Sequence, residues 1–217
     1  MSLYTQARIQ LLDLVFPRTC VGCVTAGAVA CTTCWQRWQS PWVEHRPVPE
    51  IQELLSFGAY KAVFIQRLIQ RWKFEGDTTT AETIAQLLSP EFSRWLNQKP
   101  ATLVPIPLHE RKFRERGFNQ TEDLAKAINQ ELGISWLPLL QRTIYTQPQK
   151  SVAEEEKRAN VEDAFQVDQR FLLEVDKTSR VIILDDIFTT GSTINAAAQT
   201  LRAAGFRSVS ALVVARG

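Results

Sequence analysis

From residue 54 onward, apolar positions alternate between a strand-like and a helix-like rhythm. Leu54–Tyr60 reads as a strand, and a helical pattern follows with Val63, Leu68, Ile69 and Trp72 as core positions. Gly76-Asp77 breaks it, and a second helix places Ile84, Leu87 and Leu88 on its apolar face. Thr102–Leu108 reads as a short strand, His109–Phe118 as a polar loop, and a helix starts at Asn119. Asn119 with Glu122 has capping-box spacing, and Gly133 stands where a helix C-cap belongs. After a long polar connection, Arg180–Leu184 has the β-branched character of a buried parallel strand. The loop Asp185–Ser192 leads to a helix with Ile194, Ala197, Ala198, Leu201 and Ala204 on one face; Gly205 ends it, and Ser208–Val214 forms a last strand. Strands alternating with helices predict an α/β domain with a parallel sheet.

The first fifty residues follow another pattern. Ile9, Leu12 and Phe16 share one side of a short amphipathic helix ending before Pro17. Gln6, Arg8, Gln10 and Asp13 interrupt it, so it is no secretory apolar core. Pro41–Pro49 reads as a boundary, which divides the chain into a module over 1–50 and a domain over 51–217. The chain is long enough for one domain with a small appendage, or for one large domain. A formal charge of +2 is too weak to argue for nucleic acid or membrane by itself. No segment approaches the roughly 20 apolar residues that span a bilayer, so a cytoplasmic chain without membrane insertion is expected.

In a reducing compartment, four cysteines in two close pairs point to metal or redox chemistry before disulfides. Cys20 and Cys23 form one CxxC pair, Cys31 and Cys34 a second, with seven small or flexible residues between them. Two such turns complete a tetrahedral sulfur shell, which favours a structural zinc ion. A redox pair or unligated buried thiols are the alternatives, but a redox CxxC needs no matching second pair. Trp35, Trp38 and Trp42 follow, with Arg37 and Arg46 among them. They read first as packing for a module too small to have its own core, and second as a stacking surface for single-stranded nucleic acid.

Val181–Thr193 carries the most chemistry. The apolar run brings the chain to the sheet edge where open α/β folds bind ligands. Asp185 and Asp186 follow, then Thr189, Thr190, Gly191, Ser192 and Thr193 at a helix start. Backbone N–H groups, hydroxyls and a glycine suit a phosphate. The carboxylates would repel it, so they suit a neutral or cationic part of the ligand, such as ribose hydroxyls or Mg²⁺. A Ser/Thr-rich helix cap does not require the Asp pair. The segment is similar to the thirteen-residue signature of type I phosphoribosyltransferases, which bind 5-phosphoribosyl-1-diphosphate (PRPP). The resemblance implies that Asp185 and Asp186 contact the ribose, that Thr189–Thr193 cradle the 5′-phosphate, and that Mg²⁺ accompanies the diphosphate.

Between a strand and a helix, Arg111, Lys112, Arg114 and Arg116 would suit a diphosphate, although Glu110 and Glu115 dilute the charge and a solvated basic turn is the alternative. The connection Gln141–Val161 reads as a functional loop or as a solvated tether. The similarity to phosphoribosyltransferases, in which a comparable loop closes over PRPP, implies that its cations Arg142, Lys150, Lys157 and Arg158 are candidate catalytic groups stabilising a departing diphosphate.

The paired CxxC module, Trp72–Asp77, Pro105–Gln120, Arg142 with Arg158-Ala-Asn160, and the signature together resemble the ComF family over nearly the whole chain. That resemblance implies a type I phosphoribosyltransferase-like fold with an N-terminal zinc finger, associated with DNA uptake. Two functions are carried forward. One is PRPP binding with phosphoribosyl transfer to a nitrogen acceptor; the other is a non-enzymatic sensor of PRPP or a nucleotide whose zinc module contacts DNA or DNA-processing proteins. No hood is expected after the last strand, so only the zinc module and Leu54–Lys99 could cover the acceptor.

Overall fold

The computed structural model describes residues 18–38, 40–74, 78–143 and 164–217. Its elements are α1 (Thr32–Trp38), β1 (Trp42–His45), β2 (Glu53–Ala59), α2 (Val63–Phe74), α3 (Thr78–Leu96), β3 (Ala101–Pro105), α4 (Glu110–Arg116), α5 (Gln120–Leu132), β4 (Ser135–Trp136), β5 (Leu140–Arg142), β6 (Phe165–Val167), β7 (Arg180–Phe188), α6 (Ser192–Ala203) and β8 (Ser208–Arg216). The expected N-terminal helix, the Gly76-Asp77 break and most of the Gln141–Val161 connection lie outside the described residues.

Six strands form one sheet in the order β1-β2-β8-β7-β3-β4. All neighbours run parallel except β1, which pairs antiparallel with β2 in the register Trp42↔Ser56 to His45↔Glu53. The expected α/β class with a mainly parallel sheet therefore holds. Strand alternation distributes two apolar layers. Ile182 and Leu184 of β7 face a cluster containing Leu68, Ile69 and Trp72 of α2, Ile84 and Leu88 of α3, and Leu124 and Ile128 of α5. Val181 and Ile183 face the other cluster, with Ile194, Ala197, Ala198 and Leu201 of α6. β5 and β6 form a separate antiparallel pair.

Several expectations need correction. β7 continues past Leu184 to Phe188, because the ladder with β8 persists through Ile187↔Ala215 and Phe188↔Arg216. Asp185 and Asp186 are therefore strand residues. His109–Phe118 holds a helix, α4, whose start His109 caps through Nδ1 and whose end is Gly117 at φ +80. β3 stops at Pro105, short of the expected Leu108, and Val63 is an exposed residue at the start of α2, outside the core. Asn119 and Gly133 do cap α5 as expected, with Asn119 accepting from the Thr121 N–H and donating to Glu122.

The cysteine segment packs into the first cluster: Cys20, Val29, Ala30 and Trp35 share it with Phe57, Phe64 and Trp72. Trp35 lies 6.4 Å from Phe57 and 6.5 Å from Phe64, ring centre to ring centre. Pro41–Pro49 contains β1, so this stretch is hydrogen-bonded into the sheet.

Candidate functional site

Strand alternation turns Asp186 toward the face covered by α2 and α5. There the Lys73 ammonium, in the last turn of α2, lies 2.6 Å from Asp186 Oδ2. The Gln120 amide, at the first position of α5, donates to the same oxygen at 3.2 Å. Arg116 of α4 donates in turn to Gln120 Oε1. Three helices thus converge on one carboxylate. Asp185 Oδ1 accepts the backbone N–H of Asp186 at 2.8 Å. Burial and then the neighbouring Asp186 charge push the Asp185 carboxyl up to about 7, against the pull of Lys73 and Arg142.

The four basic residues of the former loop separate by helical geometry. Lys112 and Arg116, one turn apart, lie within electrostatic reach of Asp186; burial depresses both, and Arg142, Arg116 and Lys73 depress Lys112 further. Arg111 and Arg114 form exposed pairs with Glu115 and Glu110, at 3.2 and 3.9 Å. The acids expected to dilute the charge pair with them along the helix. Arg142, lowered by burial, feels Asp185. Lys150, Lys157 and Arg158 lie outside the described residues. Lys73, Lys112, Arg116 and Arg142 therefore surround two carboxylates, and the surplus positive charge suits a polyanion.

The signature turn completes this sheet edge. Gly191 adopts φ +78 as the N-cap of α6 and supplies no capping side chain. A Cβ there would stand 2.6 Å from Val48 Cγ1 and 2.7 Å from Phe188 Cζ. Thr190 Oγ1 and Ser192 Oγ are hydrogen-bonded at 3.0 Å. Thr189 and Thr190 are exposed, and Ser192 and Thr193 half-buried. The Ser192 N–H donates to Thr190 Oγ1 at 3.4 Å, and an exposed, hydroxyl-rich helix start of this kind can hold a phosphate. A separate cleft of about 710 Å³ between the cysteine segment and α3 has no signature residue in its walls and is not this site.

Lys73 and Gln120 escaped the sequence reading. Lys73 sits in Trp72–Asp77 and Gln120 closes Pro105–Gln120, two stretches singled out without a role for either side chain. Nothing local links Lys73 to an aspartate more than a hundred residues away.

The sulfurs of Cys20, Cys23, Cys31 and Cys34 lie within 4.8 Å of one another and can hold a metal such as zinc. Cys23 and Cys31 Sγ are 3.8 Å apart. A tetrahedral ion with Zn–S of about 2.3 Å sets its sulfurs about 3.8 Å apart, so the donor set fits. Backbone N–H groups of Gly22 and Cys31 donate to Cys20 Sγ at 3.4 and 3.3 Å, which favours a thiolate there. Hydrogen bonds from Thr25 lower the Cys23 thiol to about 6, while burial and the adjoining sulfurs push Cys34 up to about 12. Four sulfurs at this range cannot all ionise without a cation between them. Trp35 is buried, whereas Trp38 and Trp42 are exposed.

Comparison with known proteins gives a consistent picture. The family described as "Phosphoribosyl transferase domain" matches residues 121–217. Competence protein F of Haemophilus influenzae is 31% identical over 158 residues, covering 69% of this chain and 66% of that protein, just under two thirds of its length. DNA utilization protein YhgH of Salmonella typhimurium is 30% identical over 188 residues, covering 84% and 75%. Competence protein ComFC of Streptococcus pneumoniae is 28% identical over 163 residues, covering 73% and 68%. A crystal structure of adenine phosphoribosyltransferase overlaps 86% of this chain and 89% of its own, at 13% identity and a TM-score of 0.42. The mainly parallel six-stranded sheet and the family match agree on a phosphoribosyltransferase-like fold. Among the described residues no helix is long and apolar enough to cross a membrane.

Proposed function

The chain belongs to the ComF family of competence and DNA-utilization proteins, and on that premise we propose that it binds PRPP at the C-terminal end of β7. The observation that supports this best is the junction of an acidic pair, a hydroxyl-rich helix start and surplus cations at one sheet edge. Asp185 and Asp186 would accept the ribose hydroxyls, and Thr189, Thr190, Gly191, Ser192 and Thr193 would hold the 5′-phosphate. Lys112 and Arg116, with Arg142, would meet the diphosphate, and Arg111 and Arg114 lie on the outer side of α4. Mg²⁺ would arrive with the diphosphate and neutralise part of its charge. Zinc on the four cysteines would be structural, because a closed sulfur shell leaves no open position.

If transfer occurs, an acceptor nitrogen attacks C1, the C1–O bond to diphosphate breaks, and the cations stabilise the oxygen charge that develops. Lys150, Lys157 and Arg158 are proposed to join that group from the connecting segment. Titration calorimetry with PRPP and Mg²⁺ tests the site. Asp185→Asn with Asp186→Asn removes hydrogen bonds to charged acceptors, each about 1.5–3 kcal/mol, so affinity drops at least about tenfold. Unchanged affinity would overturn the assignment. Diphosphate release across a screen of bases and ammonia then separates a transferase from a sensor.

A second reading rests on the exposed Trp38 and Trp42, with Arg37 lying 5.9 Å from the Trp38 ring. Aromatic faces beside cations suit single-stranded DNA, which would link the cysteine module to the DNA roles in the relatives' names. A salt-dependent single-stranded DNA shift that survives Trp38→Ala with Trp42→Ala would remove this reading.

A further inference from the structure

Asp186 divides its two oxygens. Lys73 and Gln120 both engage Oδ2, at 2.6 and 3.2 Å, and none of the described residues donates a hydrogen bond to Oδ1. The support for this geometry is built in depth. Trp72, next to Lys73, is buried and anchors the last turn of α2 in the core. Gln120 is 5% exposed, and Arg116 fixes its amide by donating to the oxygen, which leaves the nitrogen directed at Asp186. The side chains of Lys73 and Asp186 are 23% and 13% exposed, so the pair sits at the rim of the site with limited access to water.

We propose that Lys73 is a positioning residue: by holding Oδ2 of Asp186 it presents Oδ1 to a sugar hydroxyl and thereby sets selectivity for ribose over deoxyribose. The inference rests on the phosphoribose reading above. Its physical basis is that a carboxylate with one oxygen pinned by a charge-assisted bond loses rotational freedom, so the second oxygen meets its partner without an ordering cost. The ammonium also sets a positive charge against Asp186, next to Asp185, whose own carboxyl is raised by burial and by that neighbour. A carboxylate oxygen held in place accepts a sugar hydroxyl directly, and an analogue lacking that hydroxyl leaves the acceptor unpaired.

The probes are ribose 5-phosphate and its 2-deoxy and 3-deoxy analogues, titrated by calorimetry into the full chain with Mg²⁺. The wild type disfavours at least one deoxy analogue by about tenfold, the weight of one hydrogen bond to a charged group. Lys73→Met reduces that penalty to about threefold or less and weakens ribose 5-phosphate more than the deoxy sugar. Lys73→Arg, which restores a cation on Oδ2, keeps most of the wild-type penalty. Because each result is a ratio within one protein, a fall in the fraction folded does not mimic it. If Lys73→Met keeps the wild-type penalties for both analogues, or weakens all three sugars equally, the positioning role is wrong while the phosphoribose site stands. If the wild type binds none of the three, the phosphoribose reading falls and this inference falls with it.

Discussion

Replacing Asp185 by Asn makes the ligand-free protein more stable above neutral pH, and leaves it unchanged in acid. The Asp185 carboxyl is raised from its ordinary 3.8 to about 7 by burial and by Asp186. An acid with a raised value is stabilised in its protonated form, so its contribution is full below about pH 4 and is lost as pH climbs through 7. The gap is about three pH units, worth about 1.4 kcal/mol each, so wild-type stability is penalised by up to about 4 kcal/mol at pH 8. Lys73 and Arg142 already pull against that rise, and because Asp185 and Asp186 keep partial access to solvent at the surface, screening lowers the figure toward about 2 kcal/mol. Asn cannot ionise and does not pay this penalty. Urea denaturation of both proteins at pH 5, 6, 7 and 8 gives the difference at each point, and cancels titrations common to both, including the cysteines. The difference should widen with pH in favour of Asn. A difference that is constant from pH 5 to 8, or that favours Asp as pH rises, would refute the account of a desolvated carboxyl.

Three other outcomes follow from the geometry. Gly191→Ala places a Cβ against Val48 and Phe188 at a positive φ; left-handed strain of about 1–2 kcal/mol and overpacking of about 1–3 kcal/mol lower the melting temperature and weaken phosphate binding together. Removing the metal with a strong chelator lowers the melting temperature and shifts tryptophan emission to the red, because Trp35 is buried between the cysteine segment and Phe57 and Phe64; no change in either would argue against a bound structural metal. Arg180→Ala removes a guanidinium 2.8 Å from Glu53 and 3.9 Å from the Trp95 ring centre, and lowers stability in urea by about 2–4 kcal/mol without altering PRPP affinity.

Much of the architecture was legible because it rests on local signals. The β-branched run at Val181–Leu184, the cap at Asn119 and the stop at Gly133 each announce a nearby structural event. The end of β7 was not legible, since polar Asp185 and Asp186 break the apolar run while the ladder to β8 continues through them. α4 was missed for a related reason: its lone large apolar side chain, Phe113, is 46% exposed, so no buried face writes a period into the sequence. Its caps at His109 and Gly117 were the available signal. The segments forming the site could be identified one at a time, but their pairing could not. Lys73, Gln120 and Asp186 come from distant parts of the chain and meet only because α2 and α5 cover the same face of β7.

The antiparallel strand Trp42–His45 has one more consequence. It follows the cysteine segment and α1 and is zipped onto β2, two strands from β7. Beyond it, Val48 rests against the signature glycine. A flexible tether would let the cysteine end move independently of the signature turn. A strand hydrogen-bonded along its length gives no such freedom. The cysteine segment and the surroundings of Gly191 are therefore held in one hydrogen-bonded frame rather than joined by a free tether.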